Sequence, residues 1–420
     1  MKVIHEFKAD KYIIDQNSIP RNFYAILYTL EVESVWHFKF KYFWLGKNPR
    51  RQFFSNTYDV MRANQHDTNM SRPMKRSKKP SEGKLNIDNL LRIADQLVRQ
   101  GRIKDAEQAL ERSVKAKTRS HVIHCKLGAV YWMQGNLREA ARNYELALAI
   151  NPGVADAHWF LGSICKELGD VERAIDHCLK ALQLNPSDPI RQLECGNLLK
   201  ARGRAEQAIE AYRRAVAIKP DYAEAYNNMG NAYMLLSKPA NAITAYRLAY
   251  AANQQLAGLL SNLANALRQY GQYEEAEKAF REDIKRNPLA MEPYFGLGIT
   301  LKESGRSEAA INTFEQAIAI DPNNPNLQNN LAGAYESMAE FSKAESHYLL
   351  AIENDNQHID AMRNLAKIAK GNNLQSLKEY MKQAVQGNPG LLNDLAFAED
   401  VSSLGIEFSQ QFFGSGLDSI

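Results

Sequence analysis

The sequence contains neither a long apolar run nor a secretory signal. No stretch approaches the roughly 18 consecutive apolar residues of a membrane-spanning helix. The most apolar candidate, FYAILYTLEVESVW at 23–36, reaches two glutamates after eight residues. Met1 and Lys2 are followed by residues of mixed charge, without the apolar segment and small-residue cleavage site of a signal peptide. We therefore predict a protein without a membrane span.

Cysteine is scarce. The four cysteines of the 420-residue chain lie within one 71-residue stretch, at Cys125, Cys165, Cys178 and Cys195. Their number and spacing do not indicate a disulfide framework in a chain of this size. Together with the missing secretory signal, this predicts a reducing, cytoplasmic location.

Signatures of catalytic and cofactor-binding sites are also missing. The sequence has no G-x-x-x-x-G-K-[ST], H-E-x-x-H or G-x-S-x-G motif, and GLGITL at 296–301 lacks the third glycine of a dinucleotide fingerprint. HVIHCK at 121–126, with His158 and Cys165, has the residue types of a zinc site. However, Cys165 and Cys178 occupy positions that Tyr or Leu fills in other copies of the repeat described below, which favours buried thiols. We predict no enzyme activity, no cofactor and no metal.

The net charge of +4 is unevenly distributed. Residues 1–86 hold 16 Lys and Arg against 8 Asp and Glu, whereas the remainder holds 36 basic against 40 acidic residues. The large C-terminal part therefore lacks the basic excess that phosphate neutralisation requires. We do not expect nucleic-acid binding, for which the basic run before residue 86 is the one candidate.

The first 86 residues differ in kind from the rest. Residues 1–69 contain 14 of the 39 aromatic residues. In WHFKFKYFW at 36–44, aromatic residues first alternate with histidine and lysine, as apolar and polar residues do in a strand. Residues 70–86 are polar and basic, which predicts a flexible linker. The segment 1–69 could be a small docking module, a partner-binding arm, or not a normally translated part of the protein, with Met61, Met70 or Met74 as the true start.

A period of 34 residues dominates the rest of the chain. In units that start at residues 87, 121, 155, 189, 223, 257, 291 and 325, position 20 is always alanine and position 8 is always glycine or alanine. Such small residues are needed where two helices approach closely. Position 15 is glycine in six units, which suits the left-handed end of a helix. Position 24 is aromatic in most units, and position 32 is proline in five.

Between these landmarks, apolar residues recur at spacings of three and four, so each unit is predicted to be a pair of amphipathic helices. One pair cannot bury its apolar side alone, but stacked pairs can, and equivalent neighbours require equivalent contact residues. The strict repetition of these positions therefore predicts a stacked helical array.

This pattern resembles the tetratricopeptide-repeat family, through its period, the Leu127-Gly128 pair, Ala at 20, an aromatic residue at 24 and Pro at 32. The resemblance covers residues 87–392, with a ninth unit from Ile359. It implies an all-α, right-handed superhelical solenoid of about nine helix hairpins. The helical apolar spacing of residues 391–413 further predicts that residues 393–420 form a capping helix and tail.

In this family the first helix of each unit lines a concave groove, with positions 2, 5, 6, 9, 12 and 13 facing inward. Asparagine recurs there, at Asn197, Asn227, Asn228, Asn231, Asn262, Asn265, Asn329, Asn330 and Asn364. Basic residues recur at position 12, at Lys166, Lys200, Arg268 and Lys302. Asparagine is unfavourable inside helices, and its amide can pair with peptide groups whatever their side chains. These residues are therefore candidates for binding an extended peptide, although they could also be satisfied within the stack or inherited by repeat duplication.

The expected function is a non-catalytic scaffold or adaptor that holds a protein or peptide segment in the groove. A carboxylate clamp fits poorly because position 2, where it needs basic residues, carries Asp156, Glu224, Glu292 and Asp360. The asparagine ladder also resembles the repeat arm of O-linked N-acetylglucosaminyltransferases, and similar arrays precede bacterial sulfotransferase domains. The alternative function is thus a substrate-recognition arm without its catalytic domain. The partner and the oligomeric state stay open.

Overall fold

The computed structural model describes residues 87–115, 119–368 and 372–406. The predicted aromatic-rich region 1–69 and basic linker 70–86 lie outside these residues, so their interpretations stay predictions. Among the described residues, none of the helices is both long and apolar enough to cross a bilayer. The chain divides into two compact units, and the boundary in the sequence lies between Gly153 and Val154.

The described part of the first unit consists of two helix pairs. Its helices are α1 (Ile87–Arg99), α2 (Ile103–Lys115), α3 (His121–Met133) and α4 (Leu137–Ile150).

The second unit continues the same plan. Its helices are α5 (Ala155–Glu167), α6 (Val171–Leu184), α7 (Pro189–Ala201), α8 (Ala205–Ile218), α9 (Ala223–Leu235), α10 (Pro239–Ala252), α11 (Leu259–Gln269), α12 (Tyr273–Arg286), α13 (Met291–Glu303), α14 (Ser307–Ile320), α15 (Pro325–Ser337), α16 (Phe341–Asn354), α17 (Ile359–Ile368), α18 (Asn372–Gly387) and α19 (Leu395–Ser403), with a 3₁₀-helix at Pro389–Asn393.

Consecutive helices pack as pairs, and within the second unit each pair packs on the next one. From α5 to α17, the first helix of each pair contacts its own second helix, which in turn contacts the following first helix. The first helices of neighbouring repeats also touch, from α7 through α17. The predicted all-α solenoid of helix hairpins is confirmed in the described residues.

The small residues at position 8 are needed for this packing. A Cβ atom on Gly230 would lie 2.5 Å from the ring of Tyr246, and one on Gly298 would lie 2.4 Å from the ring of Phe314. Both aromatic residues are at position 24 and almost fully buried. Burying a side chain of this size contributes about 2–3 kcal/mol, so the glycine opens space for a major stabilising contact.

The left-handed turn at position 15 is confirmed. The glycines there have φ between 73° and 86°, and Ser237 and Ala339 adopt φ of 55° and 60° in the two units without glycine. A residue with a Cβ atom pays a steric penalty in this conformation. The geometry of the turn is thus imposed by the stack even where the sequence does not favour it.

Replacing Ala339 by glycine should stabilise the protein. The substitution removes the steric cost of φ near 60°, and we expect a net gain of about 0.5–1 kcal/mol after the entropy cost of glycine. Urea denaturation of the full chain measures the change, with Gly305→Ala as the matched reverse substitution at φ 79°. Equal or lower stability of Ala339→Gly would show that the turn carries no strain.

One predicted element was wrong, and one helix starts late in its repeat. In the sixth unit Gly258 is left-handed with φ 72°, and α11 begins at Leu259, the third position of the unit. The apolar segment 391–413 was expected to be one helix. Instead a 3₁₀-helix precedes the nine-residue α19, and Gly405, with φ 65°, follows it. Helix α19 does pack on α17, through an Arg363–Asp400 ion pair of 3.2 Å.

Candidate functional site

The nine predicted asparagines are half-buried and lie on first helices of the second unit. We call the surface that they form the asparagine face; its members are Asn197, Asn227, Asn228, Asn231, Asn262, Asn265, Asn329, Asn330 and Asn364. They belong to α7, α9, α11, α15 and α17. Helix α13 carries Gly296 and Ile299 at the equivalent positions 6 and 9. It therefore divides the face into a group of six and a group of three.

Amides of neighbouring repeats are hydrogen-bonded to each other. Asn228 Nδ2 donates to Asn197 Oδ1 at 3.0 Å, linking α9 to α7. Asn262 Nδ2 donates to Asn227 Oδ1 at 3.0 Å, and Asn364 Nδ2 donates to Asn329 Oδ1 at 3.2 Å. Asn330 differs, because its Nδ2 donates to the main-chain oxygen of Asn326 in its own helix. Part of the predicted ladder thus ties the stack together.

Two asparagines at position 9 also accept hydrogen bonds from the hydroxyl groups of buried tyrosines. Tyr212 OH donates to Asn197 Oδ1 at 2.8 Å, and Tyr246 OH donates to Asn231 Oδ1 at 2.6 Å. Burial raises the pKa of both tyrosines above the usual value, so the phenols stay neutral donors. Sequence reasoning missed this role. The sequence does contain a signal for it, because these two repeats have Tyr at position 24 together with Asn at position 9. The repeat with Phe314 at position 24, which has no hydroxyl group, carries Ile299 at position 9.

The internal bonds leave regular hydrogen-bonding capacity unused. Asn197, Asn227, Asn231 and Asn329 accept through Oδ1, and their Nδ2 groups have no hydrogen-bond acceptor among the described residues. The carbonyl oxygens of Asn228, Asn262 and Asn265 likewise have no donor there. The asparagine face therefore offers oriented donors and acceptors on the three successive first helices α7, α9 and α11, and a further donor on α15.

The predicted basic residues have different environments. Arg268 Nη1 is 2.6 Å from Glu303 Oε1 on the next first helix, so this cation is already paired. Lys302 Nζ donates to Asn330 Oδ1 at 3.2 Å. Burial lowers the pKa of Lys302, with a smaller opposing effect of Glu303 and Glu336. Lys200 is half-buried and its pKa is lowered by burial, whereas Lys166 is exposed.

Glu194 is a charged residue of this surface that sequence reasoning missed. It occupies position 6 of α7, where four other repeats carry asparagine. Burial raises the pKa of its half-buried carboxyl group. Lys166 and Arg191 oppose this shift and Asp188 adds to it. The described residues provide no hydrogen bond or ion pair to Glu194. The available signal was its position, since it is the one acidic residue at position 6 of the nine units.

The histidines and cysteines singled out from the sequence form structural contacts. His124 Nδ1 lies 3.2 Å from Asn143 Oδ1, and His158 Nδ1 lies 3.0 Å from His177 Nδ1. Cys165 and Cys178 are each 2% exposed, as predicted for core thiols. Within the described ranges, no cluster of three or more His, Cys, Asp or Glu is arranged to hold a metal ion.

Comparison with known families identifies the repeat. Models of the tetratricopeptide repeat match residues 125–189, 223–256 and 256–287. A further model, described as TPR repeat, matches residues 196–237 and 300–338. These matches carry no support for the resemblance to transferase arms. No curated protein matches the chain.

Several solved structures are similar to part of this chain at low sequence identity. YrrB, described as a TPR protein with an unusual peptide-binding site, is 24% identical over 44% of this chain and 96% of its own, with a TM-score of 0.38. A tetratricopeptide repeat protein from Parabacteroides merdae is 18% identical over 59% of this chain and 98% of its own, with a TM-score of 0.45. Pseudomonas aeruginosa PilF is 20% identical over 52% of this chain and 97% of its own, with a TM-score of 0.40.

Proposed function

We propose that this chain, a tetratricopeptide-repeat solenoid, is a non-catalytic scaffold that binds an extended peptide segment along the asparagine face. The proposal rests mainly on one observation: amide groups on consecutive first helices keep donors and acceptors that no other described residue uses. An extended peptide carries one N–H and one C=O per residue, and a carboxamide can pair with both.

The internal hydrogen bonds support this function because they fix the orientation of the free groups. Asn227, for example, is held through its Oδ1 by Asn262, which leaves its Nδ2 group free to donate. A preorganised donor loses little conformational freedom when a ligand binds, and this lowers the cost of association. The amides that tie the stack together are thus the same ones that present donors and acceptors to a ligand.

The proposal includes the absence of catalysis and a reducing, cytoplasmic setting. Extended surfaces of helical repeats serve as binding sites, and the asparagine face groups amides rather than nucleophiles and bases. The four cysteines are free thiols, in keeping with a reducing environment. Separating the soluble and membrane fractions of cells and locating the chain by immunoblotting tests the setting.

A double substitution separates ligand binding from stack formation. In Asn227→Asp with Asn329→Asp, each side chain keeps an oxygen that accepts the hydrogen bond from Asn262 or Asn364. The free Nδ2 group of each amide, however, is replaced by a carboxylate oxygen, which repels peptide carbonyls. We expect normal helicity and about tenfold weaker binding, from the loss of two hydrogen bonds. The ligands are dodecapeptides selected from a random library on the full wild-type chain, measured by fluorescence anisotropy.

The matched control is Asn241→Asp with Asn312→Asp. Both of these asparagines are exposed and lie on second helices, α10 and α14, so the control adds the same charge to another surface. It should bind as the wild type does. Equal affinity of the wild type and the Asn227/Asn329 variant would refute binding through the asparagine face.

A further inference from the structure

Three polar residues form a stripe along α7. Glu194, Asn197 and Lys200 are spaced by three residues, so they lie on one side of the helix. Asn197 belongs to the asparagine face and accepts a hydrogen bond from Asn228 on α9. Glu194 lies about one turn before it and Lys200 about one turn after it. The two charges are therefore roughly 9 Å apart along the helix axis.

Both charged groups are partly removed from water without a partner. Burial raises the pKa of Glu194 and lowers the pKa of Lys200, which is the effect expected when each charged form is desolvated. No hydrogen bond or ion pair to either side chain occurs in the described part of the chain.

The charged groups around Glu194 do not neutralise it. Arg191, on the same helix, is already paired with Asp156 at 2.6 Å and with Asp188 at 3.1 Å. Lys166 on α5 lowers the pKa of Glu194 but is itself exposed and forms no ion pair with it in the described residues. A half-buried charge without a partner reduces stability, so a ligand that supplies the opposite charge would bind favourably.

We propose that the peptide segment bound across α7 carries a basic residue next to an acidic one, with the basic side chain at Glu194 and the acidic side chain at Lys200. This inference rests on the proposed function and specifies its ligand. The row of asparagines crosses α7 at Asn197, so the two charges flank the row. Successive side chains of an extended peptide point to opposite sides, which places adjacent residues at the two charges.

Stability of the free protein provides a test that needs no ligand. Glu194→Gln and Lys200→Gln each remove an unpaired charge, and each should raise the thermal midpoint of the full chain by about 2 °C. The exposed Asp176 on α6, changed to Asn, and the exposed Lys278 on α12, changed to Gln, are the matched controls and should leave the midpoint unchanged. A lower midpoint for Glu194→Gln or Lys200→Gln would mean that the charge stabilises the fold, which would overturn the inference.

Binding of defined probes provides the second test. The probes are fluorescein-labelled Gly-Ser dodecapeptides with blocked ends that contain Arg-Glu, Arg-Gly-Glu, Arg alone, Glu alone or no charge. We expect the Arg-Glu probe to bind the wild type about tenfold more tightly than the uncharged probe. The Arg-Gly-Glu probe should bind less well than the Arg-Glu probe, because its Arg and Glu side chains point to the same side of an extended peptide. Glu194→Gln should abolish the gain from Arg, and Lys200→Gln the gain from Glu. Equal binding of all five probes to wild type would overturn the inference.

The same probes separate this inference from the proposed function. If Asn227→Asp with Asn329→Asp weakens the uncharged probe while the charges add nothing, only the inference fails. If the charges strengthen binding while that variant binds every probe like wild type, the amide-based function fails and the charged site stands.

Discussion

Gly296→Asn should destabilise the protein by about 3 kcal/mol, at the upper end of the cost of overpacking a core. The substitution would restore an asparagine at position 6 of α13 and so close the gap in the asparagine face. However, a Cβ atom at Gly296 would lie 2.3 Å from Cζ of Phe280, which is fully buried. In the sixth repeat position 8 is Ala264 rather than glycine, and the ring of Phe280 packs against Gly296 of the following repeat.

This explanation of the gap can be tested with two further variants. At Gly333 a Cβ atom would have ordinary contacts, 3.5 Å from Lys302 Nζ and 3.6 Å from Tyr348 OH, so Gly333→Asn should change stability little. Adding Ala264→Gly to Gly296→Asn should recover part of the loss, because the ring could then move toward position 264. Urea denaturation measures all three variants. Equal losses for Gly296→Asn and Gly333→Asn, or strict additivity in the double variant, would contradict the account.

Changing Asn228, Asn262, Asn330 and Asn364 together to Ala should abolish peptide binding while the protein stays folded. The variant loses three amide–amide bonds between repeats and the bond from Lys302 Nζ to Asn330 Oδ1, each contributing about 1 kcal/mol. Alanine returns about 0.6 kcal/mol of helix propensity per position, so the expected net loss of stability is only about 1–2 kcal/mol. The variant also lacks the two free acceptors of Asn228 and Asn262, and the donors on Asn227 and Asn329 are no longer held in place. Peptide affinity should therefore fall by about a hundredfold or more.

Circular dichroism and fluorescence anisotropy with the selected dodecapeptides separate these two effects. Asn241→Ala with Asn312→Ala, on exposed positions of second helices, is the control for surface asparagine loss. A variant that unfolds would show that these four amides mainly hold the stack together. A folded variant with wild-type affinity would place the ligand on another surface.

The sequence predicts the architecture well because stacking imposes the same contact on every repeat. The alanines at position 20 are buried in each described repeat, and position 15 is left-handed even at Ser237 and Ala339. The sequence pattern does not give the ends of a helix where local geometry departs from the period. The left-handed Gly258 delays α11, and Gly405 follows the short α19; neither effect follows from apolar spacing.

The candidate site is less predictable because an asparagine can serve the stack and a ligand at once. The recurrence of asparagine is visible in the sequence. Which amide of a pair donates, and that the hydroxyls of Tyr212 and Tyr246 donate to the asparagines at position 9, depends on the distances between helices. Glu194 could not be identified from the sequence for a different reason. The sequence shows an acidic residue at position 6, but only the packing of α7 shows that its carboxyl group is half-buried without a partner.

Photo-crosslinking at two exposed leucines of one repeat tests the central claim most directly. Leu235 lies at the end of the first helix α9 and is 63% exposed, and Leu248 lies on the second helix α10 and is 45% exposed. Each is replaced in the full chain by a photoreactive amino acid, and the protein is irradiated with a selected dodecapeptide. Binding along the asparagine face predicts a crosslink from position 235 and none from position 248. A crosslink from position 248 alone would contradict it.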